Sequence, residues 1–144
     1  MTTGNEWLYW ALLAAVFAAL TAVFAKIGLE GVDSDYATLI RTVVIIAVLS
    51  AFVVFTGKWQ NPLGLAPRTL LFLGFSGLAT GASWVCYFRA LKLGDASRVA
   101  PIDKLSVVLV AVFAVVFLHE RPSARDWTGI LLISAGAVLL ALKR

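Results

Sequence analysis

Charge is scarce in this sequence: only 14% of its 144 residues are Asp, Glu, Lys or Arg. A soluble domain carries about a quarter, so an ordinary water-facing surface cannot be built from it. There is one cysteine, Cys86, and one histidine, His119. A single cysteine excludes an intrachain disulfide, and the pair gives neither a Cys/His metal site nor a nucleophile with its base. No cofactor, metal or catalytic residue is expected, and the chain reads as a non-enzyme. The first apolar run lacks the basic n-region of a signal peptide, having Glu6 and no Lys or Arg before it, so it reads as an uncleaved helix.

What fills the chain instead is apolar: 61% hydrophobic residues and a mean hydropathy of +0.94. Charge-free stretches run over Trp7–Ala25, Thr42–Gly57, Thr69–Phe88, Leu105–Leu118 and Trp127–Leu142. The expectation is an all-α integral membrane protein with five transmembrane helices, forming a single domain over residues 1–144. A span needs about 20 residues, and the second and fourth stretches are shorter than that. Extending the second back to Tyr36 brings in Arg41, and extending the fourth back to Val99 brings in Pro101, Asp103 and Lys104. Those charges are therefore expected inside helices, roughly 6 to 8 Å deep at about 1.5 Å per residue.

Small residues pattern two of the spans. Ala11, Ala15, Ala18, Ala22 and Ala25 recur every three or four residues in the first, and Gly74, Gly77 and Gly81 lie in the third, both suited to close helix crossings. Thr80, Trp84 and Tyr87 follow at spacings of four and three, a polar-aromatic face suited to a cavity. Ser123 and Asp126 form an S-x-x-D arrangement that should cap the fifth helix. Lys143 and Arg144 place cations at its end.

Orientation is nearly balanced. One side of the membrane holds Lys58, Arg68, Arg121 and Arg125, the other Lys26, Lys92, Arg98, Lys143 and Arg144. Four against five sets almost no preference, so two arrangements stand: N-terminus out, or copies inserted both ways and paired antiparallel. Counting Arg41 and Arg89 on the second side widens the difference. The basic balance belongs to membrane loops, and no nucleic-acid partner is inferred.

Lys26, Arg41, Arg89 and Lys104 form, with Asp103, one expected polar layer. Each long side chain is either an anchor that snorkels to the interface or a functional charge. Asp103 cannot snorkel far, and should pair with Arg41 or Lys104. The neighbouring cations favour a permanently ionised Asp103 and a net-positive site suited to an anionic or zwitterionic ligand. Pro101 removes a backbone donor and bends the fourth span.

The stretch "LGFSGLATGASWVCYFRALKLGDASRVAPIDKLSVVLVAVFAVVFLHERPSARDWTGILLISAGAVLL" resembles the EamA domain of the drug/metabolite transporter superfamily. The pattern is carried by Tyr87, Ala90, Leu91, Ala96, Pro101, Glu120, Gly129 and Gly136, with Lys26 and Arg41 upstream in "FAKIGLEGVDSDYATLIRTVV". The resemblance implies half of a ten-helix inverted-repeat transporter fold, a homodimer or a pairing with a related half, and a multi-pass place in the plasma (inner) membrane. Its departure is "PIDKLS", where the family continues with apolar residues.

Together these features lead to the expectation of a secondary transporter of a small polar metabolite, working by alternating access within membrane lipid. Arg41, Asp103, Lys104, Trp84, Tyr87 and Thr80 are the candidate substrate-binding residues, and Pro101, Gly77 and Gly81 the candidate hinge or structural ones. A non-transporting membrane subunit and a lipid-carrier flippase are the alternatives.

Overall fold

The computed structural model describes residues 6–142; the expected cations Lys143 and Arg144 lie outside them. The described residues form helices and turns: α1 (Glu6–Gly28), α2 (Ser34–Phe55), α3 (Pro67–Leu93), α4 (Ala96–Asp103), α5 (Ser106–Phe117) and α6 (Ala124–Ala141), with a 3₁₀ turn at Pro62–Gly64. With α4 and α5 taken as one span, five segments are long and apolar enough to cross a membrane, as the composition requires. Nearly every large apolar side chain in them is exposed, as expected of a protein solvated by lipid.

Helix ends follow local chemistry. The Asp33 carboxylate accepts from the N–H groups of Asp35 (2.9 Å) and Tyr36 (3.1 Å), so α2 starts at Ser34, two residues before the sequence reading put it. At its other end Gly57 takes φ 66°, Lys58 N–H donates to Val53 O and Gly57 N–H to Val54 O, each at 3.0 Å. This is a complete Schellman stop, and the positive φ is why a glycine stands there. The Ser123–Asp126 capping box forms as expected: Ser123 N–H donates to Asp126 Oδ2 at 2.7 Å, and Asp126 N–H to Ser123 Oγ at 3.3 Å.

The expected fourth span, Val99–Leu118, is corrected: it begins at Ala96 and is broken at Lys104–Leu105. Pro101 lies in the second turn of α4 and cannot donate to Ser97 O, and the chain beyond it tightens into three-residue bonds. The crossings expected of the small residues are also revised. A Cβ at Gly74, Gly77 or Gly81 would meet nothing within 4 Å, and Ala11, Ala15 and Ala18 are exposed while Ala22 is buried. Residues 66–83, which include most of α3, are exposed throughout.

Packing divides the chain into two compact units, residues 6–24 with 93–142, and residues 25–92. In the first, α6 packs on α4 and α5, and the residues buried on α5 and α6 are Ala111, Ala114 and Ala137. Small side chains permit that approach. In the second, Leu91 is fully enclosed, with Leu29, Ser34, Thr38 and Phe88 also buried.

Candidate functional site

In the unit of residues 25–92, Ser34, Thr38 and Arg41 recur at four and three on one face of α2, and Trp84, Phe88 and Leu91 do so on one face of α3. The two faces meet through Arg41. Its guanidinium carbon lies 4.2 Å from the Trp84 ring centroid and 5.2 Å from that of Phe88. Cation–π attraction of this kind contributes about 0.5–2 kcal/mol, growing as water is excluded. One of the guanidinium nitrogens, Nη1, is buried with no hydrogen-bond partner, and among the described residues no carboxylate pairs with Arg41. Thr38 and Thr42 direct their hydroxyls to Ser34 O (2.8 Å) and Thr38 O (2.7 Å) along their own helix.

Three other cations of this unit are structural. Arg89 grips Asp35 with two bonds, Nε to Oδ1 at 2.8 Å and Nη2 to Oδ2, a bidentate pair between residues 54 apart in sequence. Lys26 Nζ donates to Leu91 O at 2.6 Å, and Lys92 Nζ to Val32 O. Lys26 and Lys92 thus satisfy carbonyls at a helix end and in a turn that backbone donors leave over. Lys26 and Arg89, two of the four cations expected in the polar layer, thus have partners that the sequence reading did not name. Asp35 is the counterion of Arg89, while Asp33 is the cap of α2.

In the unit containing α4–α6, Asp103 pairs with its neighbour Lys104, Nζ to Oδ2 at 3.3 Å, which selects one of the two partners expected for it. Their side chains are 39% and 60% exposed, too open to count as buried glue. Thr80 is exposed, its hydroxyl donating to Ser76 O at 2.8 Å, and Tyr87 packs beside Phe88 with centroids 6.4 Å apart. Arg41 and Trp84 are therefore in direct contact, and Thr80 precedes Trp84 by one turn on the same stripe. Phe88 was missed; its spacing of four from Trp84 was the available signal, but an apolar ring in an apolar span reads as packing.

A cation in a membrane span, supported on aromatic rings and lacking an anion, can bind a carboxylate or phosphate. The model of the EamA-like transporter family matches residues 5–142. The chain belongs to that family. This EamA-like protein is a multi-pass membrane transporter, similar to a Sinorhizobium protein named as an uncharacterized transporter in the cobO 3' region, 62% identical over 138 residues that cover 96% of this chain and 98% of that one. An uncharacterized protein of Methanocaldococcus jannaschii is 27% identical over 131 residues, covering 91% and 93%. Human solute carrier family 35 member G1 is 28% identical over 152 residues, which are 99% of this chain but 41% of that protein's length. No solved structure matches the chain.

Proposed function

We propose that this EamA-like transporter carries a small polar metabolite bearing an anionic group, by alternating access between two copies of one five-helix domain. The observation that carries this reading is Arg41, a cation in a span with one buried, unpartnered nitrogen and an aromatic floor of Trp84 and Phe88. Charge placed at that depth is costly unless something pairs with it, and a carboxylate does so bidentately. Trp84, Tyr87 and Thr80 line the same path.

Two copies are supported by length and by surface. Because the matched residues cover about two fifths of the human relative, two copies supply a comparable length of chain. Within one copy, Gly74, Gly77, Ser76 and Thr80 are exposed on α3, a face of small and hydroxyl residues better suited to helix than to lipid. The near-even loop charges suit an antiparallel pair, and Gly77, Gly81 and Pro101 supply the small face and the bend that rocking uses.

The test is uptake by proteoliposomes containing only this chain, against a panel of labelled carboxylates, zwitterions and fixed organic cations. Uptake of a carboxylate-bearing compound, lost in Arg41→Gln, is expected. Uptake confined to fixed cations, or an Arg41→Gln variant as active as wild type, overturns the reading. Movement of a lipid-linked phosphate alone would point to a flippase, and absence of all flux with copurification of a foreign protein to a non-transporting subunit.

A further inference from the structure

The connection between α2 and α3, residues 56–66, joins two membrane spans and so belongs at a membrane surface. Its charge is of one sign. Between Asp35 and Asp95 the sequence has five cations, Arg41, Lys58, Arg68, Arg89 and Lys92, and no acid. Three of them are engaged within the protein: Arg89 grips Asp35, Lys92 donates to Val32 O, and Arg41 rests on Trp84. Lys58 and Arg68 flank the connection, both exposed, and among the described residues neither pairs with a carboxylate. The α5–α6 connection is different, because Arg121 and Arg125 alternate there with Glu120 and Asp126.

The connection also has a fixed shape. Asn61 Oδ1 accepts from Leu63 N–H at 3.0 Å, Gly64 N–H donates to Asn61 O at 3.0 Å, and Leu65 N–H to Pro62 O at 3.2 Å. Pro62 and Pro67 restrict the backbone further. Held outward by this turn are Trp59 and Leu63, 65% and 90% exposed, beside Phe55 at the end of α2, also 90% exposed. An indole with bare apolar neighbours at the mouth of two spans suits the boundary between headgroups and acyl chains better than open water. Arg68 leans toward the same boundary. A helical side chain ordinarily points to its N-terminus, which here is the water side. The Arg68 guanidinium instead lies 5.9 Å from the ring centroid of Phe72, one turn into the span.

We propose that the α2–α3 connection is a docking surface for anionic phospholipid, with Lys58 and Arg68 facing headgroup phosphates and Phe55, Trp59 and Leu63 reaching the upper acyl chains. Cations without an acid among them select a lipid of net negative charge over a zwitterionic one, whose own ammonium they repel. The surface is separate from the anion assigned to Arg41, and its test measures binding without flux.

Purified protein in detergent is melted at one ionic strength with short-chain phosphatidylglycerol, short-chain phosphatidylcholine or inorganic phosphate. A saturable rise in the unfolding midpoint with phosphatidylglycerol alone is expected, since a ligand of the folded state stabilises it by mass action. Lys58→Gln and Arg68→Gln should each raise the half-saturating concentration about fivefold, and together about 25-fold, the weight of one and two cations at an anionic surface. Arg121→Gln, which removes the same charge from the balanced connection, should leave it unchanged, and so should Arg41→Gln. An equal rise with phosphatidylcholine would mean plain lipid solvation, and an equal rise with phosphate a free-anion site; either overturns the proposal. So does the absence of any rise, a response kept in the Lys58→Gln, Arg68→Gln double variant, or one lost in Arg41→Gln, which would place the lipid in the transport site.

Discussion

The two compact units handle charge in opposite ways. In residues 25–92 three cations reach partners distant in sequence: Arg89 with Asp35, Lys26 with Leu91 O and Lys92 with Val32 O are 54, 65 and 60 residues apart. In the unit of α4–α6 they are local: Asp103 with Lys104, Arg98 with Asp95 one turn away at 3.9 Å, and Ser123 with Asp126. Distant pairs fix how helices sit against each other, so breaking them should register as lost stability. Local pairs can open without moving a helix, so they are free to exchange partners. Arg41 is held across helices by rings and not by an anion.

Substitutions can break or sharpen this contrast. The largest effect is expected from Arg41→Gln, which should reduce anion uptake about 30- to 150-fold, the loss of a hydrogen bond to a charged group at about 2–3 kcal/mol. Its unfolding midpoint should stay level or rise, because a buried charge without a partner is removed; a large fall would make Arg41 structural. Next, Asp35→Asn should lower the midpoint by leaving Arg89 without its partner, and Asp35→Arg combined with Arg89→Asp should recover part of the loss. No recovery would mean that the pair does not join α2 to α3. His119, a non-glycine residue at φ 56° just after α5, carries local backbone strain. His119→Gly should therefore stabilise by about 1 kcal/mol in a denaturant titration, unaltered or lower stability being the contrary result. The smallest change is expected for Asp103→Asn with Lys104→Gln, within about 0.5 kcal/mol of wild type; a severe loss there would make the local pair structural.

The same division explains what could be read in advance. Features set by the local sequence were legible: five apolar spans and the Ser123–Asp126 box. Arg41 and Trp84 were singled out separately by charge and by aromatic spacing, and α2 and α3 bring them together. The Asp35–Arg89 pair was not legible, because nothing within four residues of Asp35 signals a partner 54 positions away. Pro101 signalled a bend in advance, but its place in the helix was misjudged. A helix taken to start at Val99 puts Pro101 in its first turn. With the observed start at Ala96, the same proline falls where its missing donor matters.

The helices α2 and α3 form a hairpin fastened at its open end, by Arg89–Asp35 and Lys92–Val32, with Arg41 on Trp84 a little further in. The connection at the closed end, residues 56–66, contributes no such fastening and is almost entirely exposed. A chain cut there, or expressed as two fragments divided at that point, would keep the contacts that join its halves. Residues 56–66 are thus the natural place to graft an epitope or a fluorescent reporter while leaving the contacts around Arg41 in register.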